Sequence, residues 1–393
     1  LLFVFICFKK NFINKFGFLI ILLFSLTPIL GNDIFFNFNI FPDQSKYIIN
    51  VNVIRENYFT IIGEILNGDW EVFHNRFQIA LGQQYIATRY ASLLIASMPI
   101  PFVETVRSVG FCSKFIFVFL FIYLIFNQKK FHKNENYYYY LLLISPSILI
   151  YSSIALKEIF ILVFFHLCMF FTIYKKPLFL IISLGMLALL RLELLIIISV
   201  FFISYNFLFL YFSEEKISKP IQKLLKILLF IFILAISIIF INDLYLIKDY
   251  LNLFVERVNS MKIGYHGEGD LNTELRLYSY DFSIVPMIYD TYNAILSPTL
   301  SKSNNVFLFL FIIENFLFNI LSVLYFIFIA KFNFLKAIFY MIFFLIFNLS
   351  VGMLVVNDMA IYRYKITMLI PLILIMREEI LNYKNENTLF NKS

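Results

Sequence analysis

The sequence predicts an all-α fold: a polytopic membrane protein of about ten spans, read as one domain over residues 1–393. Three observations carry that expectation. Apolar runs recur along the whole chain, many of them near the roughly 20 residues that a helix needs to cross the hydrocarbon core. Hydrophobic residues make up 61% and charged residues 15%, with a mean hydropathy of +0.84, too apolar for a water-soluble surface. The breaks between runs are mainly short Lys-rich clusters, the sidedness signal of membrane proteins.

Taken in order, the runs are 16–30, 109–126, 137–154, 159–174, 178–212, 227–241, 306–330, 337–356 and 366–376. Lys9, Lys10 and Lys15 precede the first. Lys129, Lys130 and Lys133 follow the second; Lys175 and Lys176, then Lys216, Lys219, Lys223 and Lys226, then Lys331 and Lys336, and last Arg377 and Lys384 mark every other break. Placing all of these clusters in the cytoplasm makes 178–212 a hairpin of two short spans, since both its flanks are basic. Both termini are then inside. The segment 85–103 is apolar but holds Arg89 and a Pro-x-Pro at Pro99 and Pro101. It reads as amphipathic or re-entrant, because a full span there would move Lys129 and Lys130 to the other face. The first run has no A-x-A-like site before Gly31 and reads as a retained anchor.

Two long segments fall on the far side, 31–107 with its amphipathic or re-entrant helices, and 242–305. They hold most of the groups capable of chemistry: Asp43, Arg55, Glu64, Trp70, His74 and Arg76 in the first, Arg257, His266, Glu268, Asp270, Arg276 and Asp281 in the second. Most loop charges simply face water, so no single one of these is a site by position alone.

Bulk properties exclude more than they assign. The net charge of +7 is accounted for by the lysines of the sidedness signal, so no nucleic-acid partner is expected. Cys7, Cys112 and Cys168 lie in or beside spans at no metal-like spacing, and the four histidines are scattered. No disulfide, metal or cofactor is expected.

Charge held at the hydrocarbon boundary is more informative. A charged group at a helix centre costs at least ~2.5–3.5 kcal/mol on insertion scales, so those that remain are paired or wet. Lys157 and Glu158 follow Tyr151, Ser152 and Ser153; Arg191 and Glu193 stand at the hairpin tip; Arg363 and Lys365 open the last run after Asn357 and Asp358. All three map to the outer boundary. Ordinary snorkelling accounts for such residues at helix ends. It accounts for Arg191 least well, because the tip has no Gly, Pro, Asn or Asp to make an exposed turn. Three basic sites on one face suit an anionic, lipid-linked substrate whose phosphates Arg can grip through paired bonds. Tyr265, Tyr278, Tyr280, Tyr289 and Tyr292 offer stacking faces for sugar rings.

The segment SPSILIYSSIALKE (Ser145–Glu158) resembles a stretch recurrent in bacterial O-antigen and capsule polymerases of the Wzy type. Three further pieces follow in order: LALLRLE (Leu187–Glu193), LSPTLSKSNNVFLFLFIIEN (Leu296–Asn315) and YRYKITMLIPLI (Tyr362–Ile373). The resemblance implies an inner-membrane glycosyltransferase with two long periplasmic loops and a GT-C-like architecture. Its reaction would join undecaprenyl-pyrophosphate-linked repeat units at the periplasmic face, with a chain-length regulator and a flippase as partners. Membrane lipid would surround it, and no metal would be required. On that reading Arg191 and Arg276, supported by Lys157 and Arg363, bind the pyrophosphate, and His266, Glu268 or Asp270 of GYHGEGD serves as the base.

Two alternatives stand beside it. A GT-C-type enzyme using a polyprenyl-phosphate sugar would place its catalytic carboxylate early in the first long loop, where Asp43 stands. A metal ion would then be expected. A lipid-linked oligosaccharide flippase would hold its charges inside the spans near mid-membrane and keep its outer loops short.

Overall fold

The computed structural model describes residues 2–30, 43–69, 71–72, 89–98, 106–131, 137–154, 156–206, 209, 252, 255–256, 258–260, 262–263, 277–278, 284–298, 306–355 and 358–390. Every regular element among them is an α-helix. The chain divides into two compact units: Leu1–Cys168 with Pro177–Leu195 and Ile366–Ser393, and Met169–Lys176 with Ile196–Lys365.

In the first unit, α1 (Leu2–Lys9) and α2 (Lys15–Leu30) begin the chain. Asn14 starts α2 by accepting the Gly17 N–H at 2.7 Å, a side-chain cap for a donor that the helix itself leaves open. Gly17 has a second role, since a Cβ there would run into the Tyr140 ring. Next come α3 (Asp43–Glu56) and α4 (Tyr58–Asn67), then α5 (Arg89–Ala96) and the long α6 (Val106–Phe131). Tyr47, Asn50, Val51 and Ile54 are buried, the i, i+3, i+4, i+7 stripe of an amphipathic helix, and α3 packs on α5 and α6. Helix α4 stops on Gly68 at φ 79°, a left-handed cap that glycine adopts without strain.

The predicted run 137–154 is not one helix. It forms α7 (Tyr137–Leu142) and α8 (Pro146–Ser153), because Pro146 has no N–H to donate and holds Ser145 at φ −58°, ψ 126°. Helix α8 and α9 (Glu158–Ile173) meet at a 119° bend. The run 178–212 also divides, into α10 (Pro177–Leu190) and α11 (Leu192–Tyr205), at the single residue Arg191. In the segment 85–103 the described helix is the eight-residue α5, too short to span.

The second unit contains α12 (Ile284–Leu296), α13 (Val306–Ala330) and α14 (Phe334–Leu354), and it includes the start of α15 (Asp358–Phe390). Asn333 caps α14 by accepting the Lys336 N–H at 2.9 Å. Phe201 packs its ring on Phe339 and Phe343 at 5.4 and 5.1 Å between centroids.

Among the described residues three helices are long and apolar enough to cross a membrane, at Ser108–Gln128, Leu308–Ala330 and Phe334–Met353, and four if the bent α8–α9 pair is one span. The predicted runs 109–126, 306–330 and 337–356 fall on these three; the run 227–241 lies outside the described residues. Helices α13 and α14 turn Phe309, Phe316, Val323, Ile327, Leu335 and Ile342 outward, the pattern of a lipid-facing surface. In contrast, residues 158–172 of α9 and 364–379 of α15 are buried without a break, so these two are interior helices.

Candidate functional site

The first unit gathers polar groups around the Ser-Pro segment singled out from the sequence. Lys114, eight residues into α6, is 1% exposed. Its ammonium donates to Ser152 Oγ at 2.6 Å, Ser153 Oγ at 3.1 Å and the Leu149 carbonyl at 3.3 Å, and it lies 3.5 Å from the centroid of the Phe24 ring. Thr27 joins through a 3.2 Å bond between its hydroxyl and that of Ser153. These three hydrogen bonds and the cation–π contact offset the cost of taking the ammonium out of water. Sequence reasoning missed Lys114, although a lysine inside the 109–126 run was the available signal.

One turn further along, the Lys157 N–H donates to the Tyr47 hydroxyl at 2.9 Å. This bond ties the connection between α8 and α9 to helix α3 of the segment 31–107. The Lys157 side chain is half-buried. Arg55, near the end of α3, donates to the Met98 carbonyl at 2.9 Å just past α5. Arg191 fills the gap between α10 and α11: its N–H donates to Leu187 at 2.8 Å, ending α10, and its carbonyl accepts from Leu194 at 3.2 Å, starting α11. Its side chain is half-buried, as a packed rather than exposed turn requires, and α10 touches α5. Asp43 is the first residue of α3.

The second unit holds two further networks. Lys262 pairs with Asp290 at 2.6 Å, both buried, and the Tyr278 hydroxyl donates to the same carboxylate oxygen. Lys262 also lies 4.2 Å from the Tyr278 ring centroid. Burial first, then the bond to Asp290 and its charge, push the Tyr278 phenol well above its ordinary range, so it stays a donor. Tyr278 is therefore not a sugar-stacking face: its ring is covered and its hydroxyl is committed. Tyr289 and Tyr292 are exposed; Tyr265 and Tyr280 lie outside the described residues.

The other network unites three pieces that the sequence separated. Lys365 of YRYK, buried, donates to the Ile295 carbonyl at 2.5 Å and to Asn315 Oδ1 at 2.7 Å. Asn315 in turn reaches the Ile295 and Leu296 carbonyls at 3.2 Å. Lys365 is thus buried within the protein and committed to these partners. Arg363 stands beside it, half-buried, with its guanidinium on Tyr364 at 3.2 Å to the hydroxyl and 5.1 Å to the ring centroid.

Lys157, Arg191 and Asp43 belong to the first unit and Arg363 to the second. His266, Glu268, Asp270 and Arg276 lie outside the described residues. Among the described residues no group of three or more His, Cys, Asp or Glu side chains is placed to hold a metal ion.

Among the described residues, fold and site together define an all-helical protein with three helices long and apolar enough to cross a membrane and with lysines buried inside it. No protein-family model, curated protein or solved structure matches the chain.

Proposed function

We propose that the chain is an inner-membrane glycosyltransferase of about ten spans, with GT-C-like architecture and both termini in the cytoplasm, that polymerises undecaprenyl-pyrophosphate-linked oligosaccharide repeats at the periplasmic face. The observation that carries this reading is the Tyr47–Lys157 bond. It joins the first long loop to the basic turn of the Ser145–Glu158 segment, one turn beyond the Lys114–Ser152–Ser153 cluster.

In the reaction a hydroxyl of the acceptor repeat attacks the anomeric carbon of the donor. The bond from that carbon to the pyrophosphate oxygen breaks, the electron pair leaves with the pyrophosphate, and the hydroxyl proton passes to a base. Lys157 and Arg191, with Arg276 and Arg363, would offset the charge gathering on the leaving group. His266, Glu268 or Asp270 would take the proton. A chain-length regulator and a flippase would be its partners.

Deleting the gene and resolving the surface glycan on a gel tests the proposal. A single capped repeat with no ladder is the expected outcome; an unchanged ladder would sink it. Arg191→Ala in the chromosomal copy should reproduce the single-repeat pattern while the protein stays at normal level in the membrane.

Two other readings each have one observation in their favour. Asp43 opens α3, the helix that is bonded to Lys157, which suits a GT-C enzyme with an early carboxylate; then Asp43→Asn should abolish transfer and Arg276→Ala should not. Lys114 and Lys365 are buried within apolar helices, so the position of charge no longer argues against a flippase. Complete loss of the surface repeat on deletion would favour either of these readings over the polymerase.

A further inference from the structure

Helix α12 is turned inside out for a helix in water. Val285, Ile288 and Tyr292 are 74%, 63% and 61% exposed, and Tyr289 and Leu296 are exposed beside them. These positions follow i, i+3, i+4, i+7, i+11 and so form one apolar face. The opposite face puts the Asp290 carboxylate and Ala294 inside, against α14, where Gly352 leaves room for the Asp290 carbonyl that a Cβ would strike. An aqueous loop helix buries its apolar side and wets its carboxylate; this one does the reverse.

Its depth is set by what holds its end. Pro298 stops the helix, and the last-turn Ile295 carbonyl accepts from Lys365 at 2.5 Å, Asn319 at 2.9 Å and Asn315 at 3.2 Å. Asn319 is the middle residue of the Leu308–Ala330 stretch, about 16 Å from either end at about 1.5 Å per residue. Gly352, in the last turn of α14, meets α12 at Asp290 and Ala294, in the half of the helix that also carries Ile295. With 13 residues α12 covers about 20 Å, short of the roughly 30 Å core. Unsatisfied carbonyls at that depth cost several kcal/mol each, which is the physical reason for a lysine and two asparagines at this spot.

We propose that Ile284–Leu296 is a re-entrant half-helix seated in the bilayer, with its exposed apolar face on acyl chains and its C-terminal end below the membrane surface, between Asn315 and Asn319 of α13 and the last turn of α14. The occupant is lipid because the face continues the outward apolar surfaces of α13 and α14, on which α12 packs. This inference rests on the membrane embedding within the proposed function and not on the glycan chemistry. It also moves part of the segment 242–305 out of the water and into the membrane.

The test uses the full chain in phosphatidylcholine–phosphatidylglycerol vesicles, with one nitroxide at a time on Val285→Cys, Ile288→Cys or Tyr292→Cys. These positions are exposed, whereas the native cysteines are buried. Collision with oxygen reports lipid and collision with a water-soluble nickel chelate reports water. Oxygen should dominate at positions 288 and 292, matching a control label on Phe316→Cys of α13, and the ratio should rise from 285 to 292. Nickel-dominated collisions at 288 and 292, or little collision with either reagent, would overturn the proposal. Nickel dominance at the Phe316 control as well would remove the membrane embedding itself, whereas a lost or retained glycan ladder leaves this result untouched.

Discussion

Lys114 separates packing from function at the scale of a single side chain. Ser152 and Ser153 donate to the Ile148 and Leu149 carbonyls of their own helix, so removing the ammonium leaves those hydroxyls with partners. Lys114→Met should therefore change unfolding stability by no more than about 1 kcal/mol, as hydrophobic replacement of buried charge often does. If the charge serves the anionic substrate, the glycan ladder should nevertheless fall at least about tenfold. An intact ladder would make Lys114 a packing group only. Asp290 is expected to behave in the opposite way. Asp290→Asn takes away the carboxylate paired with Lys262 and should cost about 3–5 kcal/mol in denaturant unfolding, while the double change Lys262→Met with Asp290→Leu should recover most of it. Neither lysine network was legible residue by residue, because each joins groups far apart in the chain, 28 residues in one case and 38 in the other.

Element boundaries were legible where one physical rule dominates. Helices α13 and α14 occupy the apolar runs because about 20 apolar residues with few charges have no better solution. The break at Ser145–Pro146 was equally written in the chain, since proline cannot continue the preceding helix, yet a hydropathy window averages over it. The close approach of α12 to α14 depends on one missing side chain. Gly352→Leu should push the Asp290 backbone away and cost about 1–3 kcal/mol, read as a lower thermal midpoint in detergent. Lys365→Met removes one of the donors to the Ile295 carbonyl and should cost about 1–3 kcal/mol in the same measurement. A neutral result would mean that Asn315 and Asn319 suffice.

For the molecule as a whole, the sidedness of the lysine clusters is the claim with the widest reach. Labelling with a membrane-impermeant maleimide in intact cells should modify Lys157→Cys and Arg191→Cys but not Lys176→Cys or Lys331→Cys; reaction of all four would break the topology. This much was legible because a membrane sorts charge by side. The gathering of Leu296–Pro298, Asn315 and Lys365 into one place was not, since periodicity carries no information on which helices meet. The bond from Lys365 to the Ile295 carbonyl crosses 70 residues of chain, and this has a consequence for biogenesis. When the ribosome has made Ile295, neither the asparagines nor the lysine that will receive its carbonyl exists. On the proposed seating, residues 284–296 would reach their final depth only after the translocon has released α13, α14 and α15, which carry these partners. A nascent chain arrested before Lys365 would expose this stretch to protease; the full-length chain released from the ribosome would protect it.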